Sequence, residues 1–459
     1  MRKWRLLTVL LAALAVTGLL MATLWISGAG KCVTYDETVL QGDASAFAGV
    51  TIRTRNQMRE YVNWETEYRP GTGETPETKM RYRRGDWQYR GEAIFSVRTP
   101  LLPMTNGAVE GVADEMVRDV ASRAPADVQE YQERVRAADY YDVFPMQYVF
   151  DECNNVARGQ SWKLNELLQI PVPEDLTLLV SIYFYGHPNH ARYNCTIDAA
   201  EGTVPELGVS FAKQESKNGG VYWFTLDCSL PGNGTLDTSR ISGGTGIFRF
   251  DTAENTAETV YPFPAETKIC DLWLSEDEST LYLLRSLSGV HTLTALSVPD
   301  MTETQVLTLP TAVDAALTTP YRRDGLLLVP ATDGTLLVLT RNADNTYTLE
   351  KQMNAADDPA LTQTDYMEPW EQITADYWDG RLALVRLQFA DGDITQDMDL
   401  VISVYAEDGA RSTMESRCSL GQDNDPELMF REYHHTNYPP IQPAWTDPVQ
   451  VEIDRNEIE

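Results

Sequence analysis

Four aspartates, Asp391, Asp393, Asp397 and Asp399, lie within nine residues of one another in the C-terminal part of the chain. Calcium binds several carboxylate and carbonyl oxygens gathered on a loop, so this group is the leading metal candidate. The segment lacks the glycine and the closing bidentate glutamate of an EF-hand loop. We therefore favour a solvated acidic loop and predict no tight calcium site.

The other groups with metal-binding or acid–base chemistry carry weaker patterns. His187 and His190 have H-x-x-H spacing, but they fall in a hairpin turn, where two imidazoles point apart. His434 and His435 are adjacent and would project to opposite faces of a strand. A second acidic group, Asp423, Asp425 and Glu427, is broken by Pro426 and has the same solvated interpretation as the first. We predict no cofactor, with calcium as the open alternative.

Linear catalytic motifs do not occur in the sequence. There is no G-x-S-x-G elbow, H-E-x-x-H pair, Walker A loop or G-x-G-x-x-G turn. No catalytic residue can be assigned on this basis. Trp64, Tyr68, Trp87 and Tyr89 could form a carbohydrate-stacking surface, but aromatic residues at a period of two more often pack one face of a sheet, which we favour.

The elements that must position any site are strands. Residues 269–310 predict four of them, Cys270–Ser275, Thr280–Arg285, His291–Val298 and Thr304–Leu309, separated by short polar turns. The third-strand pattern recurs at Gly246, His291, Thr335 and Asp399, at steps of 45, 44 and 64 residues. The second-strand pattern recurs at Gly220, Thr280, Leu326 and Arg381. A period of this length is typical of propeller repeats.

The segment that begins at Leu274, LSEDESTLYLL, resembles the S-P-D-G turn and following strand of TolB-type and WD40-like propeller repeats. Glu276 and Glu278 stand where those families have Pro and Gly. In its overall layout the chain resembles uncharacterised membrane-anchored propeller-repeat proteins of Gram-positive bacteria. The resemblance implies an all-β fold, a β-propeller of about seven blades, and implies no activity.

Between the early and late strands the apolar period changes. Residues 108–121 predict an amphipathic helix, and Leu164–Leu168 a short one, so we expect a small helical insertion around residues 105–170. Residues 128–150 fit either a helix or a strand, and we favour a helix followed by a strand. We also expect residues 32–87 to pack near residues 429–458, because a ring of blades closes through both chain ends.

Residues 1–31 combine the basic sequence MRKWR with the uncharged, largely apolar run Leu6–Ile26, which is long enough to span a bilayer. We favour an uncleaved signal anchor over a signal peptide cleaved near Gly28, since signal peptides have shorter apolar regions. The basic N-terminus predicts that residues 32–459 form one extracytoplasmic domain at the cell membrane. Lys31 argues against lipidation of Cys32, and sequence cannot choose the pairing of the six cysteines.

The net charge of the chain is −31, which excludes nucleic-acid binding by bulk electrostatics. We predict a membrane-tethered, cell-surface binding or scaffolding module that engages a protein or a glycan through a propeller face. The alternative is an extracytoplasmic hydrolase or lyase with its site at the propeller channel. Repeats without a linear motif fit both classes.

Overall fold

In a computed structural model, the chain is described over residues 2–29, 34–58, 62–82, 94–98, 113–144, 147–152, 155–160, 162–185, 192–202, 206–213, 220–230, 234–235, 245–264, 266–361, 373–389, 398–419, 442–443 and 449–455. The helices are α1 (Arg2–Ala29), α2 (Ala113–Arg123) and α3 (Trp162–Leu167), with 3-10 turns at Ala44–Phe47 and Ala137–Asp139. All other elements are strands.

The strands, in chain order, are β1 (Thr34–Gln41), β2 (Val50–Met58), β3 (Val62–Tyr68), β4 (Glu77–Tyr82), β5 (Ile94–Arg98), β6 (Glu130–Arg136), β7 (Gln147–Glu152), β8 (Asn155–Gln160), β9 (Thr177–Tyr185), β10 (Arg192–Glu201), β11 (Glu206–Lys213), β12 (Val221–Leu230), β13 (Gly234–Thr235), β14 (Gly246–Asp251), β15 (Thr256–Pro262), β16 (Lys268–Leu274), β17 (Thr280–Leu287), β18 (Val290–Ser297), β19 (Glu303–Leu309), β20 (Tyr321–Arg323), β21 (Leu326–Pro330), β22 (Thr335–Arg341), β23 (Tyr347–Asn354), β24 (Ile373–Trp378), β25 (Arg381–Phe389), β26 (Met398–Tyr405), β27 (Arg411–Ser419), β28 (Gln442–Pro443) and β29 (Val449–Ile453).

The chain divides into two compact units, and the first contains residues 1–89, 316–342 and 347–459. Its three antiparallel sheets have the strand orders β20-β21-β22-β23, β1-β27-β26-β25-β24 and β28-β2-β3-β4, with β29 also paired to β2. Two apolar layers form its core. One joins the β20–β23 sheet to β24–β26, and the other joins β2 and β29 to the opposite face of β25–β27.

The second unit contains residues 90–315 and 343–346. Its sheets have the orders β5-β7-β8, β10-β9-β6, β11-β12-β14-β15 with β13 on β12, and β16-β17-β18-β19. Helix α2 packs on β9 and helix α3 on β15, and Met116, Val120 and Leu164 are fully buried in the same apolar cluster as Val180. A second apolar layer lies between β12 and the β16–β18 strands.

The predicted blade is confirmed. Strands β16 to β19 pair in chain order, within a few residues of the predicted bounds. The recurring third-strand segments are β14, β18, β22 and β26, and each is the third strand of its sheet. Seven antiparallel sheets are present among the described residues. The chain is therefore an all-β protein of the β-propeller class, as its sequence predicts.

Turn chemistry explains why these strands form hairpins. Asp379 and Gly380 have φ angles of 45° and 78°, the left-handed pair that a two-residue hairpin turn requires. In the turn that resembles S-P-D-G, the Asp277 carboxylate accepts hydrogen bonds from the Ser279 amide at 3.1 Å and the Ser275 hydroxyl at 2.6 Å. These bonds lower the pKa of Asp277. Glu278 has a φ of 56°, which explains why related repeats place glycine there.

The expected pairing of the two chain ends is confirmed. Residues 50–54 of β2 pair in antiparallel register with residues 449–453 of β29. The contact buries Ile52 and Ile453 completely, and Val50 and Phe47 complete the same apolar layer. An early strand and the last strand thus share one sheet.

The region 105–170 differs from its prediction in one respect. Helices α2 and α3 confirm the helical insertion, but the helix favoured at the start of residues 128–150 is wrong. Residues Glu130–Arg136 form strand β6, in which Tyr131, Glu133 and Val135 alternate toward the more buried side. The strand pairs with β9 along its full length. That partner is more than 40 residues away in the sequence and overrides the local pattern.

Helix α1 contains a window, Leu7–Leu24, with a mean hydropathy of 2.3 and no burial against the rest of the chain. It is long and apolar enough to cross a membrane, a property that a signal sequence shares. The predicted boundary between residues 1–31 and a single domain of residues 32–459 stays a prediction.

We predict that Ile453→Ala lowers the melting temperature of the full chain in detergent micelles by several degrees. The substitution leaves a cavity where β29 covers β2, which costs about 2–5 kcal/mol. Val451→Ala on the same strand is the matched control, because Val451 is only half-buried and should cost less. Equal melting temperatures for the two variants would contradict a stabilising role for this pairing.

Candidate functional site

Of the predicted calcium residues, the structure describes only Asp399. It is the second residue of β26, is 2 % exposed, and forms a forked ion pair with Arg417 on β27. The two bonds join Asp399 Oδ1 to Arg417 Nε at 3.0 Å and Oδ2 to Nη2 at 3.3 Å. Both carboxylate oxygens of Asp399 thus form an ion pair that joins the neighbouring strands β26 and β27. Asp391, Asp393 and Asp397 lie outside the described residues, so the prediction of no tight calcium site stands as a prediction.

The structure adds little about the remaining candidate site residues. His187, His190, His434, His435 and the group Asp423, Asp425 and Glu427 lie outside the described residues. The fifth histidine, His291, is buried on β18 with its Nε2 atom 2.8 Å from the Ala315 carbonyl oxygen. Within the described residues, no group of three His, Cys, Asp or Glu side chains is arranged to hold a metal ion.

Tyr68 packs inside a sheet layer, as the period-two interpretation predicts. It is 2 % exposed and stacks on Tyr35 at a ring-centroid distance of 4.1 Å. Its hydroxyl donates to Glu37 Oε1 at 2.6 Å and lies 2.7 Å from Ser416 Oγ. Burial, reinforced by the Glu37 bond, raises the pKa of Tyr68. The side chains of Trp64, Trp87 and Tyr89 lie outside the described residues.

A buried polar network lies on one face of the β24–β27 sheet, and Asp358 is at its centre. The Asp358 carboxylate accepts hydrogen bonds from Ser403 Oγ at 2.7 Å, Tyr405 Oη at 2.5 Å and the Ala360 amide at 2.9 Å. Asp358 is 2 % exposed, and Arg386 lies on the same face at 6 %. Burial lowers the pKa of Arg386, and the negative charge of Asp358 partly opposes this effect.

We predict that Tyr405→Phe destabilises the full chain by about 2 kcal/mol, because it removes one donor from a buried carboxylate. Thermal melts in detergent micelles would measure the loss. Tyr183→Phe is the matched control, since Tyr183 is 37 % exposed on its strand. If Tyr405→Phe melts with the parent chain, the Asp358 network does not stabilise this sheet.

Trp378, the last residue of β24, is an exposed aromatic residue at the edge of this sheet, with an exposed fraction of 40 %. The guanidinium carbon of Arg455, which follows β29, lies 4.8 Å from the centroid of its ring. This is a cation–π contact. The Ile453 amide donates to Asp376 Oδ2 at 2.8 Å, which fixes the end of β29 against β24 and so places Arg455 beside the ring.

The turns around Trp378 are tied to one another. Lys351 Nζ donates to the Gly380 carbonyl at 2.8 Å and to the Ala406 and Glu407 carbonyls at 3.0 and 2.5 Å. The Lys351 ammonium group therefore links the β24–β25 turn to the β26–β27 turn. We call Trp378, Arg455, Asp379 and Glu407 the Trp378 surface.

The Trp378 surface is electrically negative. Asp379 and Glu407 are exposed, and neither makes an ion pair within the described part of the chain. Burial raises the pKa of the Tyr377 phenol, and the negative charges of Glu350, Asp379 and Glu407 raise it further. Arg455 supplies one exposed positive charge, and the half-buried Lys351 ammonium lies on the same two turns.

The Trp378 surface lies at the end of the β24–β27 sheet opposite to the end that follows helix α1. Strand β1 begins at Thr34, which pairs with Ser419 at the end of β27. Trp378 pairs with Arg381 at the start of β25, at the other end of the same sheet. Eight residues of β26 separate the two ends, about 25 Å.

Sequence reasoning missed the Trp378 surface. The only local signal is the order Tyr377, Trp378, Asp379, Gly380, in which a large aromatic side chain directly precedes a tight turn. Arg455 lies 77 residues away in an acidic C-terminal segment, and only the pairing of β29 brings it to the ring.

No model of a known protein family matches the chain, and no curated protein matches it. Solved structures do resemble it. The periplasmic gluconolactonase PpgL of Pseudomonas aeruginosa is 10 % identical with a TM-score of 0.29, and the likeness covers 80 % of this chain and 96 % of that one. TolB from Acinetobacter baumannii is 10 % identical with a TM-score of 0.24, over 90 % and 86 % of the two chains.

A third similar structure is YCF48 bound to D1 peptide, with 10 % identity, a TM-score of 0.24, and coverage of 83 % of this chain and 94 % of that one. All three are β-propeller proteins. Scores this low carry no argument about a site, and the fold assignment rests on the strand order of the chain itself. The chain is a β-propeller repeat protein.

Proposed function

We propose that the chain is a membrane-tethered binding module that engages a protein or a glycan through the Trp378 surface. The observation that carries the proposal is the 40 % exposure of Trp378 beside Arg455, on turns that are held in place by Lys351. Trp, Tyr and Arg are enriched among the few residues that carry most of the binding energy of protein interfaces. A rigid aromatic group that is left exposed is thus suited to recognition.

The names of the similar solved structures do not distinguish a binding function from a catalytic one. Their names include an enzyme, the gluconolactonase, and a protein bound to a peptide, YCF48. Among the described residues, the buried carboxylates of Asp358 and Asp399 accept hydrogen bonds from neighbouring strands and loops. The exposed aromatic ring therefore favours binding.

The tether supports the same proposal. Only residues 30–33 separate helix α1 from β1, so the start of β1 lies within about 18 Å of the end of the helix. When the sheet stands upright on the membrane, the Trp378 surface is at the distal end, where a partner outside the membrane can reach it.

Arg2, Lys3 and Arg5 favour a cytoplasmic N-terminus, which would place the rest of the chain on the extracytoplasmic side. We expect protease added to intact cells to remove an epitope fused after Glu459. A cytoplasmic protein with the same epitope is the control. If the epitope survives on cells stripped of any wall and is lost only after lysis, the proposed orientation is wrong.

To test the binding surface, the photo-crosslinking residue p-benzoylphenylalanine can replace Trp378 in the full chain on intact cells. We expect discrete crosslinked species on irradiation. The matched control places the same residue at Val290, which is 50 % exposed on β18. Identical crosslinking patterns from both positions, or none from position 378, would contradict a binding role for the Trp378 surface.

A further inference from the structure

We propose that the partner at the Trp378 surface is a protein segment that carries exposed lysine or arginine side chains, and not a glycan. This inference rests on the proposed function, and it adds the chemical class of the partner. Three observations support it: the cation–π contact on the Trp378 ring, the exposed carboxylates beside the ring, and the binding of the neighbouring cations to backbone carbonyls.

The first observation is the Trp378 ring itself. Indole has the most electron-rich face among the aromatic side chains, and it attracts ammonium and guanidinium groups within about 6 Å of its centroid. Arg455 already makes one such contact at 4.8 Å, which shows that the site accepts a guanidinium group. Trp378 is 40 % exposed beside Arg455, so it is accessible to a second cation from a partner.

The second observation is the carboxylate pair. Asp379 follows Trp378 directly, and Glu407 is adjacent to the same turn, because a Cβ atom built on Gly380 would lie 3.0 Å from Glu407 Cγ. Both carboxylates are exposed and make no ion pair within the described part of the chain. A lysine or arginine that contacts the ring would therefore meet one or two negative charges at the same place.

The third observation concerns the neighbouring cations. Lys351 Nζ is bound to three carbonyl oxygens. Arg381 Nη2 donates to the Ala46 and Ala48 carbonyls at 2.9 and 3.1 Å. Both cations are only partly exposed and donate to backbone carbonyls, and neither forms an ion pair with Asp379 or Glu407 among the described residues. The exposed charges of the Trp378 surface are thus Asp379, Glu407 and Arg455, which favours a basic segment over an anionic glycan or a phosphate group.

The experiment uses the full chain in nanodiscs of zwitterionic lipid, so that the bilayer does not compete for basic probes. The probes are fluorescein-labelled dodecapeptides, one alternating Lys and Gly and one alternating Glu and Gly, together with a labelled N-acetylglucosamine tetramer. Fluorescence anisotropy measures binding at low and high salt. We expect only the lysine peptide to bind, with an affinity that falls as salt rises.

Substitutions separate the contribution of the Trp378 ring to peptide binding from that of the two carboxylates. Trp378→Ala keeps every charge and should weaken binding of the lysine peptide by about tenfold. The double variant Asp379→Asn and Glu407→Gln should weaken it by about three- to tenfold and flatten the salt dependence. The matched control, Glu254→Gln with Asp314→Asn, removes two exposed carboxylates from the other compact unit and should have little effect.

Each outcome decides one question. If the lysine peptide binds equally well to the parent chain and to Trp378→Ala, its binding is bulk attraction to a chain of charge −31, and the inference fails. If the tetrasaccharide binds in a Trp378-dependent way and the peptide does not, the proposed function stands and the basic partner is wrong. If no probe binds, the inference also fails, and the crosslinking experiment alone decides the proposed function.

Discussion

The pairing of β2 with β29 is the constraint on which the first compact unit depends. It joins residues that are about 400 positions apart, and closing so long a loop costs roughly 5 kcal/mol of chain entropy. Full burial of side chains such as Ile453 and Ile52 returns about 1.5–3 kcal/mol each, so the contact offsets this cost only because several apolar residues meet at once. Phe47 and Val50 complete that layer.

Strand β1 strengthens the same unit in a different way. It pairs with β27, while the Tyr35 ring stacks on Tyr68 of β3 and its hydroxyl lies 3.0 Å from Thr54 Oγ1 of β2. The first strand after helix α1 therefore connects two sheets, and the cross-sheet contacts of Tyr35 oppose its separation from them.

Much of the fold could be predicted from sequence because the blades are local. Strands β16 to β19 are consecutive apolar runs between short polar turns, and the Asp-Gly pairs at Asp324 and Asp379 mark hairpins without reference to any other part of the chain. The error at β6 has the opposite cause. Its residues are mostly exposed and give a weak local pattern, and the strand exists because β9 lies beside it.

The candidate site could not be predicted for the same reason. Asp399 follows a run of acidic residues in the sequence, which suggested a loop, but its ion pair with Arg417 on the next strand is a cross-strand contact. Trp378 and Arg455 meet through the pairing of β29 with β2 and the contact of β29 with β24. Local patterns predict strands and turns, and these contacts join residues from separate strands.

In the proposed function, closure and recognition depend on the same contact. A chain of charge −31 attracts every cationic molecule at long range, so bulk charge by itself cannot select a partner. Selection needs a short-range contact in a fixed geometry, the role that we propose for the Trp378 ring and its two neighbouring carboxylates. Arg455 reaches that ring only when β29 is paired, with the Ile453 amide bound to Asp376. The geometry of the Trp378 surface thus exists only in the closed unit, so a chain that has not closed would keep its charge and lose its selectivity.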